Sequence, residues 1–255
     1  PPKLRSDVPF FAGLTGFIGL YIGLIILLVL ANVSYISWDD LVTAMTDEAI
    51  LSSLELTFWT CTVTAILSVF FAVPIGYSLS RFNFRGRTLL DTLLDIPIIL
   101  PPLVVGLSLL ILFNSFPDRD NSLEDWLNSH GIFVTFHIPA IILAQFTVAA
   151  AFAVRSMRNT FDQISPRSEL VALTLGCNRS QVFWKVALPQ AGKGVLSAGV
   201  LAWARALGEF GPILVFAGAT RGRTEVLATS VFLEINIGNL GGAAAVSLIL
   251  ITLAI

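Results

Sequence analysis

Of 255 residues, 55% are hydrophobic and 13% charged, against roughly 25% charged in an ordinary soluble domain, which argues against a water-soluble fold. The formal net charge of −2 indicates neither a nucleic-acid partner nor an acidic ligand, because in a membrane-spanning chain the placement of Lys and Arg matters more than their sum. Residues 8–38, 56–80, 96–117, 131–154 and 235–255 carry no Asp, Glu, Lys or Arg, and a bilayer crossing needs about 20 apolar helical residues.

In chain order, the first predicted span covers residues 10–31. Its apolar run is too long for a signal peptide and lacks a small-residue cleavage site. Pro1 in place of Met, and a last run stopping at Ile255, read as trimmed ends. A loop with Asp39, Asp40, Asp47 and Glu48 but no basic residue leads to a second span over 54–79. That span holds Cys61, whereas Cys177 lies in a later polar loop, so no disulfide framework is expected. The third span covers 90–114. Thr88 and Asp91 have capping-box spacing at its start, where Asp91 and Asp95 suit the positive helix end. Pro97, Pro101 and Pro102 then remove backbone donors. Two readings satisfy the freed carbonyls: a broken helix beside a polar pathway, or a static kink packed on a neighbour.

The fourth span, 138–158, is followed by the longest inner connection, 159–193. It mixes polar residues with Val171, Leu173, Leu175, Val182, Phe183, Trp184 and Val186, too apolar for disorder. Two short helices broken near Gly176 are expected, with an apolar face for a partner. The fifth span, 194–218, is apolar except for Arg205 and Glu209, whose four-residue spacing lets them neutralise each other on one helix face. Gly194, Ala198, Ala202 and Ala206 form a small-residue row suited to close helix packing. A sixth span covers 238–255. With both termini in the cytoplasm, eleven basic residues (Lys3, Arg5, Arg81, Arg85, Arg87, Arg155, Arg158, Arg167, Arg179, Lys185 and Lys193) lie inside. Arg119, Arg221 and Arg223 lie outside, which is the asymmetry of a chain in this orientation. The expected fold is therefore an all-α integral membrane protein of about six transmembrane helices. The chain reads as one domain, 1–255, without internal repeats or linkers.

Three stretches carry a resemblance. Glu169-Leu-Val-Ala-Leu-Thr-Leu-Gly176, continued by Cys-Asn-Arg-Ser-Gln-Val-Phe183-Trp-Lys-Val-Ala-Leu188-Pro189, resembles the cytoplasmic "EAA" loop of ABC importer inner-membrane permeases. The resemblance implies that this loop docks on a separate ATP-hydrolysing subunit, with Glu169, Ala172, Gly176, Val182, Phe183, Val186, Leu188 and Pro189 at the contact. Val182, Phe183 and Val186 are expected on one face able to enter a groove. The family's usual glutamate position is occupied here by Leu170, with Glu169 one place earlier, a shift of about 100° around a helix.

The second stretch runs from Arg81-Phe-Asn-Phe-Arg-Gly-Arg to Ile96-Pro-Ile-Ile-Leu-Pro-Pro-Leu-Val-Val-Gly106. The third, Ala204-Arg205-Ala-Leu-Gly208-Glu209-Phe210-Gly211-Pro212, is similar to the Arg-Ala-Leu-Gly-Glu-Phe-Gly segment of molybdate, tungstate and sulfate permeases. These resemblances imply a type I importer permease, with Pro101, Pro102, Gly106, Arg205, Gly208, Glu209 and Gly211 at the translocation path or gate. For Arg205 and Glu209 a gate or packing role is favoured over a selectivity site, because a neutralised Arg attracts an anion weakly. The implied partners are a second permease copy, a cytoplasmic ATPase dimer and an extracytoplasmic binding protein, in a multi-pass inner-membrane assembly.

Other classes fit less well. No zinc-protease His/Glu spacing and no Gly-x-Ser-x-Gly element supports an intramembrane enzyme, and neither a metal nor a catalytic residue is expected. The Gly176-to-Pro189 loop disfavours a passive anion channel, which needs no ATPase dock. The chain has no Gly-x-x-x-x-Gly-Lys-Ser/Thr loop, so ATP and Mg are expected on the partner ATPase and no cofactor on this chain. The expected cargo is molybdate or tungstate, with sulfate, thiosulfate or another small solute as the alternative.

Overall fold

The computed structural model describes residues 8–118 and 121–254. The expectations placed on Pro1, Lys3, Arg5, Arg119 and Ile255 fall outside them. The chain folds as helices α1 (Val8–Tyr35), α2 (Trp38–Thr46), α3 (Glu48–Arg81), α4 (Arg87–Ile99) and α5 (Pro102–Ser115). Two-residue strands β1 (Pro117–Asp118) and β2 (Asn121–Ser122) form a short antiparallel pair before α6 (Leu123–Ser129) and α7 (Ile138–Gln163). Then come α8 (Arg167–Thr174), α9 (Arg179–Val182), a π-helical turn (Phe183–Ala187) and α10 (Leu188–Gln190). The described chain ends with α11 (Gly192–Leu207), α12 (Gly211–Phe216), α13 (Leu227–Asn236) and α14 (Leu240–Ala254).

Among the described residues, α1, α3 and α7 are the unbroken helices long and apolar enough to cross a membrane. The expected third span is instead two helices, α4 and α5, bent by 110°, because Pro101 and Pro102 cannot donate the bonds that would continue α4. The fifth is divided into α11 and α12 around residues 208–210, and α13 precedes the sixth. Each boundary falls where Gly or Pro withdraws support from the helical ladder.

The core is built from small and hydroxyl side chains. On α3, Ser53, Thr57, Thr60, Thr64, Ser68, Ala72 and Gly76 are buried, while Phe58, Ile66 and Phe70 point outward. That is the reverse of a soluble helix and the pattern expected in lipid, where close van der Waals packing replaces hydrophobic burial between helices. Several buried hydroxyls are satisfied locally, as where Thr57 donates to the Ser53 carbonyl at 2.6 Å. Helices α3, α7 and α11 form the central packing unit, with Ala65 and Ala72 meeting Ala149, Ala153, Ala198, Ala202 and Ala206. A Cβ on Gly76 would lie 2.8 Å from the Arg158 backbone N, and one on Gly194 only 2.2 Å from Thr160 Cγ2. The row Gly194, Ala198, Ala202 and Ala206 is thus the buried seam of α11. Helix α1 has no buried face and packs on α14.

Candidate coupling loop and translocation segment

Helices α8 to α10 sit beside the arginine-rich end of the bundle. In the first turn of α8, Glu169 accepts a 2.8 Å hydrogen bond from Arg81 Nε and another of 2.8 Å from the Tyr77 hydroxyl. Arg81 Nη2 also donates to the Ile164 carbonyl at 2.9 Å. With side-chain exposures of 12% for Arg81 and 8% for Glu169, the pair is a buried tie between α3 and the loop. Gly176, at φ +92°, ends α8. Its N–H reaches the Leu173 carbonyl and that of Cys177 reaches the Ala172 carbonyl, both at 3.1 Å, the paired bonds of a Schellman cap. The glycine is needed for its backbone angle, since a Cβ there would meet nothing within 4 Å. Asn178 and Gln181 then cap α9 reciprocally at 2.8 and 2.9 Å.

The faces of this loop differ from the sequence expectation. Glu169, Ala172 and Val182 are buried within the chain, and the Phe183 ring packs 4.8 Å from that of Tyr77. Phe183 therefore turns towards α3, Val186 and Leu188 are half-buried, and Gly176 and Pro189 are exposed. The apolar residues facing outward are Leu170, Val171, Leu175 and Trp184. The physical reason is the one-residue shift: with Glu169 drawn inward by Arg81, Leu170 is rotated out.

Helix α4 starts after Gly86, at φ +91°, without a side-chain cap. The capping box expected from Thr88 and Asp91 is absent because the helix begins two residues earlier, which puts Thr88 inside the first turn, and Asp91 pairs instead with Arg158 on α7. One turn on, Asp95 pairs with Arg155 at 2.7 Å. Beyond the 110° bend, α5 packs on α12 at two glycines, each opposite the other's proline. A Cβ on Gly106 would lie 2.8 Å from Pro212 Cα, and one on Gly211 2.9 Å from Pro102 Cβ. The two breaks thus dock on each other: the third span is broken, and its break is packed on a neighbouring helix.

Glu209 lies inside the 208–210 break and is only 2% exposed. Arg205 Nη2 approaches Glu209 Oε1 to 2.8 Å, an ionic contact at an oxygen without an aligned hydrogen bond. The Arg205 guanidinium also stands 5.3 Å from the centre of the Phe152 ring. The pair therefore does not share one continuous helix as its spacing suggested; it spans a helix end. Gly208 is uncrowded: a Cβ there would stand 4.0 Å from its nearest neighbours, the Ala204 and Arg205 carbonyl oxygens.

Sequence reasoning misses three features. It takes Tyr77 and Arg81 as span and topology residues, without their role in holding the loop. The opposite end of the bundle holds a polar knot, in which buried Glu234 is bonded by Arg221 and, at 2.7 Å, by Asn239 Nδ2. Gln145, buried two turns into α7, accepts from Thr64 and donates to the Ala206 carbonyl. An amide in the middle of a charge-free span is the available signal, since an unpaired one is costly in lipid.

Residues 72–255 match the family described as "Binding-protein-dependent transport system inner membrane component". The chain is 34% identical over 207 residues to the molybdate/tungstate transport system permease protein WtpB of Pyrococcus abyssi, covering 81% of this chain and 76% of that protein. It is 30% identical over 251 residues to the sulfate transport system permease protein CysT of Escherichia coli, covering 97% and 89%. It is 34% identical over 217 residues to the molybdenum transport system permease protein ModB of Mycobacterium tuberculosis, covering 85% and 79%. Among solved structures, a chain of a bacterial alginate ABC transporter, in complex with its alginate pentasaccharide-bound periplasmic protein, superposes with a TM-score of 0.73. At 18% identity, with 97% of this chain and 90% of that one covered, this likeness speaks for the fold.

Proposed function

The chain belongs to the binding-protein-dependent transport inner-membrane component family, and on that premise we propose that it forms the membrane path of an ATP-driven oxyanion importer. Molybdate or tungstate is the first choice of cargo and sulfate the second, in keeping with the named relatives. The arginine-rich end faces the cytoplasm, and the whole chain acts as one permease domain. A second copy completes the path, an ATPase dimer binds ATP and its magnesium, and an extracytoplasmic binding protein delivers the anion. Hydrolysis belongs to the ATPase subunits, and no covalent chemistry occurs on this chain.

The observation that carries the coupling role is the outward apolar face of Leu170, Val171 and Leu175 on a loop locked to α3 by Arg81 and Glu169. A force applied to that face is transmitted to α3 and α7 rather than absorbed by a floppy loop. The docked breaks of α5 and α12, with Arg205 and Glu209 beside them, provide the movable segment. ATP binding favours one arrangement of this segment over the other.

The test is uptake of labelled molybdate by cells expressing the chain with its candidate ATPase and binding protein. Competition by unlabelled tungstate but not sulfate supports the first choice; competition by sulfate favours the second. An assembled complex that takes up none of them would remove the oxyanion reading.

A further inference from the structure

Resting on the reading of this chain as a permease, we propose that Gln145 is a positioning residue that stabilises the broken form of the fifth span and so sets how readily the Arg205–Glu209 segment moves. Gln145 is 1% exposed. Its Oε1 accepts from the Thr64 hydroxyl at 3.0 Å, which turns its Nε2 towards the Ala206 carbonyl at 3.3 Å, with Cys61 Sγ also 3.5 Å away.

In an uninterrupted helix, the Ala206 carbonyl would accept the N–H of Phe210, four residues on. The break withdraws that donor. The carbonyl instead faces the N–H groups of Gly208 and, at 3.2 Å, Glu209, together with the Gln145 amide. If α11 straightened into α12, the carbonyl would swing back along the helix axis to take the Phe210 N–H, lengthening its 3.3 Å contact with the amide on α7. Gln145 therefore contacts the broken and continuous forms unequally, which is the condition for biasing an equilibrium between them. Because the bonded carbonyl lies three residues before Glu209 and one after Arg205, the bias falls on that ion pair. Thr64 acts one step further back, by orienting the amide.

The experiment uses the full complex, with ATPase subunits and binding protein, in liposomes. Gln145→Met keeps side-chain length and removes both hydrogen-bonding functions. The expected result is about a tenfold fall in anion moved per ATP hydrolysed, and a rise of about tenfold in hydrolysis without the binding protein, as expected for losing one buried hydrogen bond. Thr64→Val is expected to shift both quantities in the same direction by less. Ser68→Ala, which removes a buried hydroxyl of α3 that has no hydrogen-bond partner, leaves both unchanged. Wild-type values in Gln145→Met, or an equal shift in Ser68→Ala, would overturn the proposal. Should Gln145→Met fail to assemble, unchanged values in Thr64→Val overturn it. If the wild-type complex moves none of molybdate, tungstate or sulfate, the cargo reading fails, while the comparison of hydrolysis without binding protein still decides the role of Gln145.

Discussion

Arg81 and Glu169 stand 88 positions apart in the chain yet share a buried contact. Removing either partner leaves the other charge stranded, at a cost of about 3 kcal/mol. Arg81→Ala and Glu169→Ala are each expected to lower thermal stability in detergent, with the double variant recovering part of the loss. Purely additive losses would show that the two side chains act independently. A second residue-scale prediction concerns Glu225, in the loop before α13. Burial pushes its carboxyl above the ordinary range, with the Ser230 hydroxyl and Arg221 acting in the opposite direction. A raised folded-state value contributes stability below the unfolded value, about 4.3, and loses it as pH rises through the folded one. Glu225→Gln is thus expected to melt above wild type near pH 7, the gap closing towards about pH 4. A gap independent of pH would rule out burial of the charge as its cause.

At the scale of elements, the contact between α5 and α12 depends on the absence of side chains. On Gly106 an added Cβ would meet backbone atoms, Pro212 Cα at 2.8 Å and Pro212 O at 2.9 Å, so the two helices must separate. Gly106→Ala is expected to cost about 1–3 kcal/mol and to impair transport, read as melting temperature and uptake. Gly192→Ala, at the start of α11 where a Cβ meets nothing within 4 Å, is expected to be neutral or stabilising by about 0.5 kcal/mol. Equal effects at the two positions would mean that glycine serves chain flexibility here and not close approach. The break before α5 was legible in Pro101 and Pro102, whereas residues 194–218 read as one span and their break at 208–210 was not. Nor was the docking of the two breaks, because each half of the contact lies about one hundred positions from the other, and nothing local to either indicates its partner.

For the whole molecule, the exposed side chains divide between those suited to lipid and those suited to protein. Helix α1 is apolar all round, whereas Leu175, 80% exposed, stands at the arginine-rich end beyond the spans. Leu175→Ser is expected to leave membrane insertion and melting temperature unchanged while weakening co-purification of the ATPase subunit. Retention of the ATPase at wild-type yield would move the dock to another face of the loop. The orientation of that loop illustrates the limit of periodicity. Spacing alone grouped Val182, Phe183 and Val186 on a docking face, but the π-helical turn Phe183–Ala187 changes the angular step, and Tyr77 captures Phe183.

By itself the sequence determined that this is a helical membrane protein with apolar stretches long enough to span, a basic end, a turn at Gly176 and a small-residue seam on α11. These follow from local causes: composition, the backbone freedom of glycine, the missing donor of proline, and residue size. Only the tertiary structure decided that Asp91 serves Arg158, 67 positions away, and not a helix cap. It likewise decided that Glu169 points inward and that Gln145 reaches Ala206, 61 positions on. In each case a polar group had several chemically adequate partners along the chain, and the one it uses was set by which helices the packing of small residues brought into contact.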